Sequence, residues 1–234
     1  MKGLLYKDWT LIVGGYKTNF ILILVLYGFL AHFSHAVYLA YALMFIVGMY
    51  ASSTISMDEN SQWDTYAHTL PVSAGQLIAS KYLLSLFATF VGAVLAFLLV
   101  ATMPNPYVPS FLEVMVGLAI TCAVTFVYFS LVIPLSYRFN SIRARSWVSI
   151  SILVLVFGSA ALYTLIPEET INQIQQTLGM RGIYEGEEAI FGSLVTWTEN
   201  QLFMFTVVAL LLFSIVILLV SWAISVRIYA KKNY

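Results

Sequence analysis

From Tyr82 to Met103 the chain runs through 22 residues without one aspartate, glutamate, lysine or arginine. Runs of this kind decide what the polypeptide can become. A hydrocarbon layer about 30 Å thick requires roughly 20 helical residues to cross it. Inside that layer the backbone N–H and C=O groups find partners only in a helix or a closed barrel. Six segments meet the length requirement: Thr18 to Phe33, Ala36 to Ser56, Tyr82 to Met103, Phe111 to Leu135, Trp147 to Ile166 and Leu202 to Val226. The expectation is an all-α, polytopic membrane protein with six transmembrane helices in a single domain over residues 1–234. Composition supports it. The chain is 61% hydrophobic and 9% charged, against about 25% charged in soluble domains, which is too little to wet a folded surface.

Basic residues fix the orientation. Lys2, Lys7 and Lys17 precede the first span, and Lys81 closes the loop between the second and third. Arg138, Arg143 and Arg145 lie between the fourth and fifth, while Arg227, Lys231 and Lys232 follow the sixth. Only Arg181 falls on the other side. Both termini are therefore expected in the cytoplasm. The N-terminus lacks the uninterrupted apolar stretch and small-residue cleavage site of a signal peptide, so the first span is expected to be retained. Residues 1–17 place Leu5, Trp9, Ile12 and Tyr16 on one helical face, the pattern of an interfacial helix. The outer loop, residues 167–201, is expected to hold short helices. It carries Glu168, Glu169, Glu185, Glu187, Glu188 and Glu199, with Ile171, Ile174 and Leu178 at helical spacing. An outer gate and a solvated acidic loop both fit it.

Several function classes lose their support. Zero formal net charge gives no bulk attraction to nucleic acid. One cysteine, Cys122, excludes an internal disulfide and a cysteine metal cluster. The spans have no charge near their middles, which weakens an ion-coupled transporter. His32 and His35 alone make a poor metal site and read better as a polar turn. The stretch GGYKT, Gly14 to Thr18, lacks the glycine immediately before lysine that a phosphate-binding loop needs. Gly48, Ser52 and Ser56, like Ala88, Gly92 and Ala96, form small-residue stripes suited to close helix packing.

One insert breaks the apolar pattern: MDENSQWDTYAHTLPVSAGQLIASKY, Met57 to Tyr82. Asp58, Asn60 or Ser61 can cap a short helix over Gln62 to Thr69, which Pro71 ends. Trp63, Tyr66, Ala67 and Leu70 share one apolar-aromatic face of it, while Asp64, Thr65 and His68 take the other. Ser73 and Gln76 form a capping box that opens the next helix. Large rigid side chains of this type are enriched in interface hot spots.

Glu59, then LPVS at Leu70 to Ser73, then Lys81 resemble the permease subunits of type-2 ABC transporters. The opening MKGLLYKD, the YRFNSIRARSW connection and the long outer loop are similar to that family's small Gram-positive members, in particular exporter permeases for amphipathic peptides of the phenol-soluble-modulin kind. Where that family often has basic neighbours to this glutamate, the present chain has Asp58 and Asn60. The resemblance implies that residues 57–81 are a cytoplasmic coupling segment whose helix docks on a separate ABC ATPase, through Glu59, Trp63, Tyr66, Leu70, Pro71 and Val72. It further implies no cofactor on this chain, since ATP and magnesium belong to the ATPase, and no catalytic site. Other implied partners are a second permease copy, most simply a homodimer, the lipid of the bacterial cell membrane, and hydrophobic or amphipathic cargo such as peptides. Two rivals stand beside this exporter reading. One is a non-transporting sensor or scaffold of a peptide-resistance system, which would capture cationic peptides on the acidic loop. The other is a secondary transporter.

Overall fold

A computed structural model describes residues 2–67, 69–103, 109–165 and 201–231. These residues form seven helices and no strand: α1 Lys2–Ser34, α2 Val37–Asn60, α3 Trp63–Ala67, α4 Ala74–Ala101, α5 Phe111–Arg138, α6 Ser141–Leu165 and α7 Gln201–Ala230. Five of them, α1, α2, α4, α5 and α7, are long and apolar enough to cross a membrane among the described residues. The expected outer loop, residues 167–201, lies almost wholly outside the described residues, and so does His68.

The expected boundary at Lys17 is absent. Residues 2–34 form one helix of 33 residues, about 50 Å long at 1.5 Å per residue. Nothing in the sequence stops it, since no proline intervenes and Gly14–Gly15 costs only about 1 kcal/mol per glycine in a helix interior. Residues 2–17 therefore continue without a break into the segment expected to be the first span. Their apolar stripe packs against neighbours: Trp9 meets Phe87 edge-on and Tyr16 lies against Tyr50. Lys17, expected ahead of the first span, becomes an interior, exposed position of α1.

Packing is densest between α2 and α4 and between α5 and α7, with α1 laid on α2 and α4. The small-residue stripes explain the first contact. A Cβ on Gly92 would stand 2.8 Å from the Met44 carbonyl oxygen, and one on Gly48 would stand 3.4 Å from Thr89 Oγ1 of α4. Such a backbone approach is open only to small residues. Polar side chains join the second pair to α4. Ser221 Oγ donates to the Ser130 carbonyl at 2.7 Å, so its own hydrogen is committed. Tyr82 Oη must then donate to Ser221 Oγ, at 2.7 Å, and can accept from Ser225 Oγ at 3.0 Å. Phe129, Ile133, Ile78 and Leu43 are among the fully buried side chains at the centre.

Three reversals turn on non-glycine residues of positive φ: His35 at 55° between α1 and α2, Gln62 at 52° between α2 and α3, and Asn140 at 149° between α5 and α6. Asn140 is suited to its place, because its Oδ1 accepts from the Ile142 N–H at 2.9 Å and asparagine tolerates such conformations.

Candidate functional site

The insert is built between two helix ends. α2 runs on to Asn60, past the expected end at Ser56, so Asp58 and Asn60 belong to its last turn and Ser61 is its C-cap. None of the three caps α3. That helix is shorter than the expected Gln62–Thr69, comprising only Trp63–Ala67. Gln62 turns the chain with positive φ before it. After it, Thr69 N–H bonds to Tyr66 O and Leu70 N–H to Ala67 O, a tightening of the last turn ahead of Pro71, which disfavours helix at the preceding residue. Ser73 opens α4 with the expected capping box: Gln76 N–H donates to Ser73 Oγ at 3.3 Å and Ser73 N–H donates to Gln76 Oε1 at 3.1 Å.

The expected docking residues do not share one face. Trp63 and Val72 are half-buried and pack on the hydrophobic core with buried Ala67. Tyr66 is 57% exposed, and Pro71 is exposed too, with Leu70 between the two extremes. The Trp63 and Tyr66 rings remain 5.2 Å apart. Glu59 lies on the surface, and its Oε2 accepts from the Ser141 N–H at 3.0 Å and from Ser141 Oγ at 2.6 Å. It thereby satisfies an orphan donor at the start of α6 and brings negative charge to a helix N-terminus. One turn further along α6, an Arg145 guanidinium nitrogen donates to the Ser52 carbonyl of α2 at 2.8 Å.

Sequence reasoning missed the charged core beneath the insert. Asp8 of α1 is fully buried. Its Oδ1 lies 2.7 Å from Lys81 Nζ and 3.0 Å from Lys7 Nζ. Lys7 Nζ also reaches Asp58 Oδ1 at 2.6 Å, and Lys81 Nζ pairs with the other Asp58 oxygen. Lys81 additionally donates to Thr54 Oγ1 at 3.4 Å. Two cations and two anions cancel. Lys7 Nζ further sits 4.1 Å from the centre of the Trp63 ring, a cation–π contact. The space left beside the cluster, bordered by Tyr137 and Tyr229, is about 10 Å³, room for one water at most. α1, α2 and α4 are thus pinned together directly under α3. The signal available in the sequence was an aspartate interrupting an apolar stripe, but a pairing across 73 residues leaves no periodic trace.

A family model described as ABC-2 family transporter protein matches residues 3–230. The chain belongs to that family. No curated protein and no solved structure matches it. As an ABC-2 family transporter protein it is a membrane transport subunit, a multi-pass integral protein of the cell membrane, and its family implies an ATPase partner. The insert is then the natural place to look for contact with that partner, since it is the longest polar interruption between two membrane-spanning helices that the structure describes. Nucleotide has no seat at Gly14 to Thr18. That stretch is the middle of α1, where backbone N–H groups are taken up by helical bonds and cannot wrap a phosphate. Among the described residues no group of three or more histidines, cysteines or carboxylates is arranged to hold a metal ion.

Proposed function

We propose that this ABC-2 family protein is the membrane subunit of an ATP-driven exporter for hydrophobic or amphipathic cargo, peptides foremost. It works as a homodimer with two copies of a cytoplasmic ABC ATPase. In this reading α6 completes six spans, both termini face the cytoplasm, and α3 is the coupling helix. Closure of the ATPases on ATP pushes α3, and the bundle switches an apolar cavity from inward- to outward-facing.

The observation that carries the reading is the divided surface of α3. Trp63, Ala67 and Val72 anchor the segment on the core, while Tyr66 and Pro71 stay open to a partner. A rigid element held from beneath, with an aromatic left outward, is what a docking surface needs. Cargo of the proposed class suits the walls of the groove between α1, α2 and α4, a cavity of about 270 Å³ lined by Trp9, Phe20, Tyr50 and Phe87 among others. Apolar walls with few polar groups take apolar ligands.

The test is copurification of an ATPase that carries a true phosphate loop. Replacing Tyr66 and Pro71 together by alanine should lower its retention tenfold or more, because losing a hot-spot side chain costs about 2 kcal/mol. Glu59→Gln should weaken coupling with retention intact. If the Tyr66 and Pro71 variant retains its ATPase and stimulates hydrolysis as the parent does, α3 is not the docking helix.

A further inference from the structure

Asp58 and Glu59 are neighbours in sequence, yet their carboxylates leave α2 in different directions. Asp58 meets Lys7 of α1 and Lys81 of α4, and Glu59 meets Ser141 of α6. The docking segment is therefore bracketed, with Asp58 before it and Lys81 after it, and these two are paired with each other. α2 and α4 are joined to the segment by the chain itself. α1 is not; its nearest covalent path is some fifty residues long (51 between Lys7 and Asp58).

We propose that Lys7, Asp8, Asp58 and Lys81 form a positioning clamp that makes α1 travel with the coupling segment. A push on α3 then enters the bundle through α1 as well as through α2 and α4. The proposal rests on the reading of α3 as the docking helix.

Three observations support it. First, the remaining contacts of α1 on this side are aromatic and aliphatic, such as Trp9 on Phe87 and Tyr16 on Tyr50, and contacts of that kind permit sliding. Charge pairs do not. Displacing α1 by one turn, about 5.4 Å, would part Lys7 from Asp58 and Asp8 from Lys81, and so take one partner from each of the four charges. Second, a buried ionic group is a poor means of adding stability, because its desolvation cancels most of the attraction; its clearest use is to fix register. Third, the cluster runs from the surface inward. The Lys7 side chain is 22% exposed and touches Trp63 of α3, whereas those of Asp8 and Lys81 are 1% and 6% exposed. It thus forms a continuous path from the docking segment to the interior of α1.

The experiment uses the full chain in lipid with its ATPase, in a Cys122→Ser background. Spin labels are placed by Tyr6→Cys on α1 and Thr65→Cys on α3, both at exposed positions. With the clamp intact, the distance distribution between the labels should be the same before and after ATP with vanadate. In a chain carrying Lys7→Met, Asp8→Leu, Asp58→Leu and Lys81→Met, ATP should shift or broaden it by about 2 Å or more, the scale of helix sliding, with ATPase retention unchanged. The complete apolar replacement is chosen because substituting a whole buried ionic group keeps a fold, whereas removing one partner does not. Should it fail to fold, reversal of the whole group, Lys7→Asp, Asp8→Lys, Asp58→Lys and Lys81→Asp, carries the test, since it keeps all four opposite-charge pairs and should restore the parent distribution that each single change disturbs. A parent whose labels move apart on ATP, or a quadruple variant that stays locked, overturns the clamp. If the parent retains no ATPase, the docking reading falls by itself. The clamp is then judged on the chain alone, where equal distribution widths in parent and variant would refute it.

Discussion

Enclosing Asp8 in an apolar interface is costly unless cations come to meet it, and Lys7 and Lys81 both do. Removing the charge on one side should therefore do more harm than removing the whole group. Asp8→Asn is expected to destabilise the protein by about 3 kcal/mol, because the buried Lys81 ammonium and the half-buried Lys7 ammonium lose a shared partner and keep only Asp58; thermal unfolding in detergent would show it as a lowered midpoint. Tyr82→Phe should be far milder. Ser221 keeps its bond to the Ser130 carbonyl, so few groups are left unsatisfied and the loss is about 1 kcal/mol. Trp63 and Tyr66 form a further contrast at this scale. Trp63→Ala should reduce stability through lost packing on the core, while Tyr66→Ala, at an exposed site, should leave the unfolding midpoint within error and alter only partner binding. Equal stability losses for the two would contradict the assigned faces. Single residues were the least legible part of the sequence. Helical spacing put Trp63 and Tyr66 on one stripe, but a five-residue helix flanked by turns presents neighbouring residues to different surroundings.

Among the elements, legibility followed the strength of the local signal. The α4 capping box was readable because Ser73 and Gln76 are three residues apart. The same pattern at Ser110 and Glu113 caps α5 and was equally available. The spans on α2, α4, α5 and α7 were set by apolar length alone. The continuity of α1 through Lys17 was not read, because a charge there looks like a boundary, although a lysine does not stop a helix. Element packing yields its own prediction. Gly92→Ala should push α2 from α4, since its Cβ would meet backbone, the Met44 carbonyl, at 2.8 Å; overpacking of this kind costs about 1–3 kcal/mol. Gly14→Ala should do the opposite. Nothing lies within 4 Å of its Cβ position, and the gain in helix propensity is about 1 kcal/mol. Unfolding midpoints that move in the same direction for both would refute the packing described for these two helices.

For the molecule as a whole, the sharpest expectation is sidedness. In a Cys122→Ser background, Thr65→Cys should react with an impermeant maleimide only in inverted vesicles, and Ser34→Cys, at the far end of α1, only in intact cells. The reverse pattern would remove the docking surface from the ATPase compartment. The five helices that are long and apolar enough to cross a membrane among the described residues were legible as apolar runs, whereas the knot of charges joining α1, α2 and α4 was not, because it depends on distant segments arriving at the same depth. The adjacency of Asp58 and Glu59 has a consequence for how such a chain tolerates insertions and deletions. Adding or deleting one residue in the last turns of α2 rotates everything beyond it by about 100°. Both carboxylates would then swing away from their partners together, so one reading-frame-preserving codon change could detach two remote helices at once, and this stretch should resist length variation far more strongly than it resists substitution.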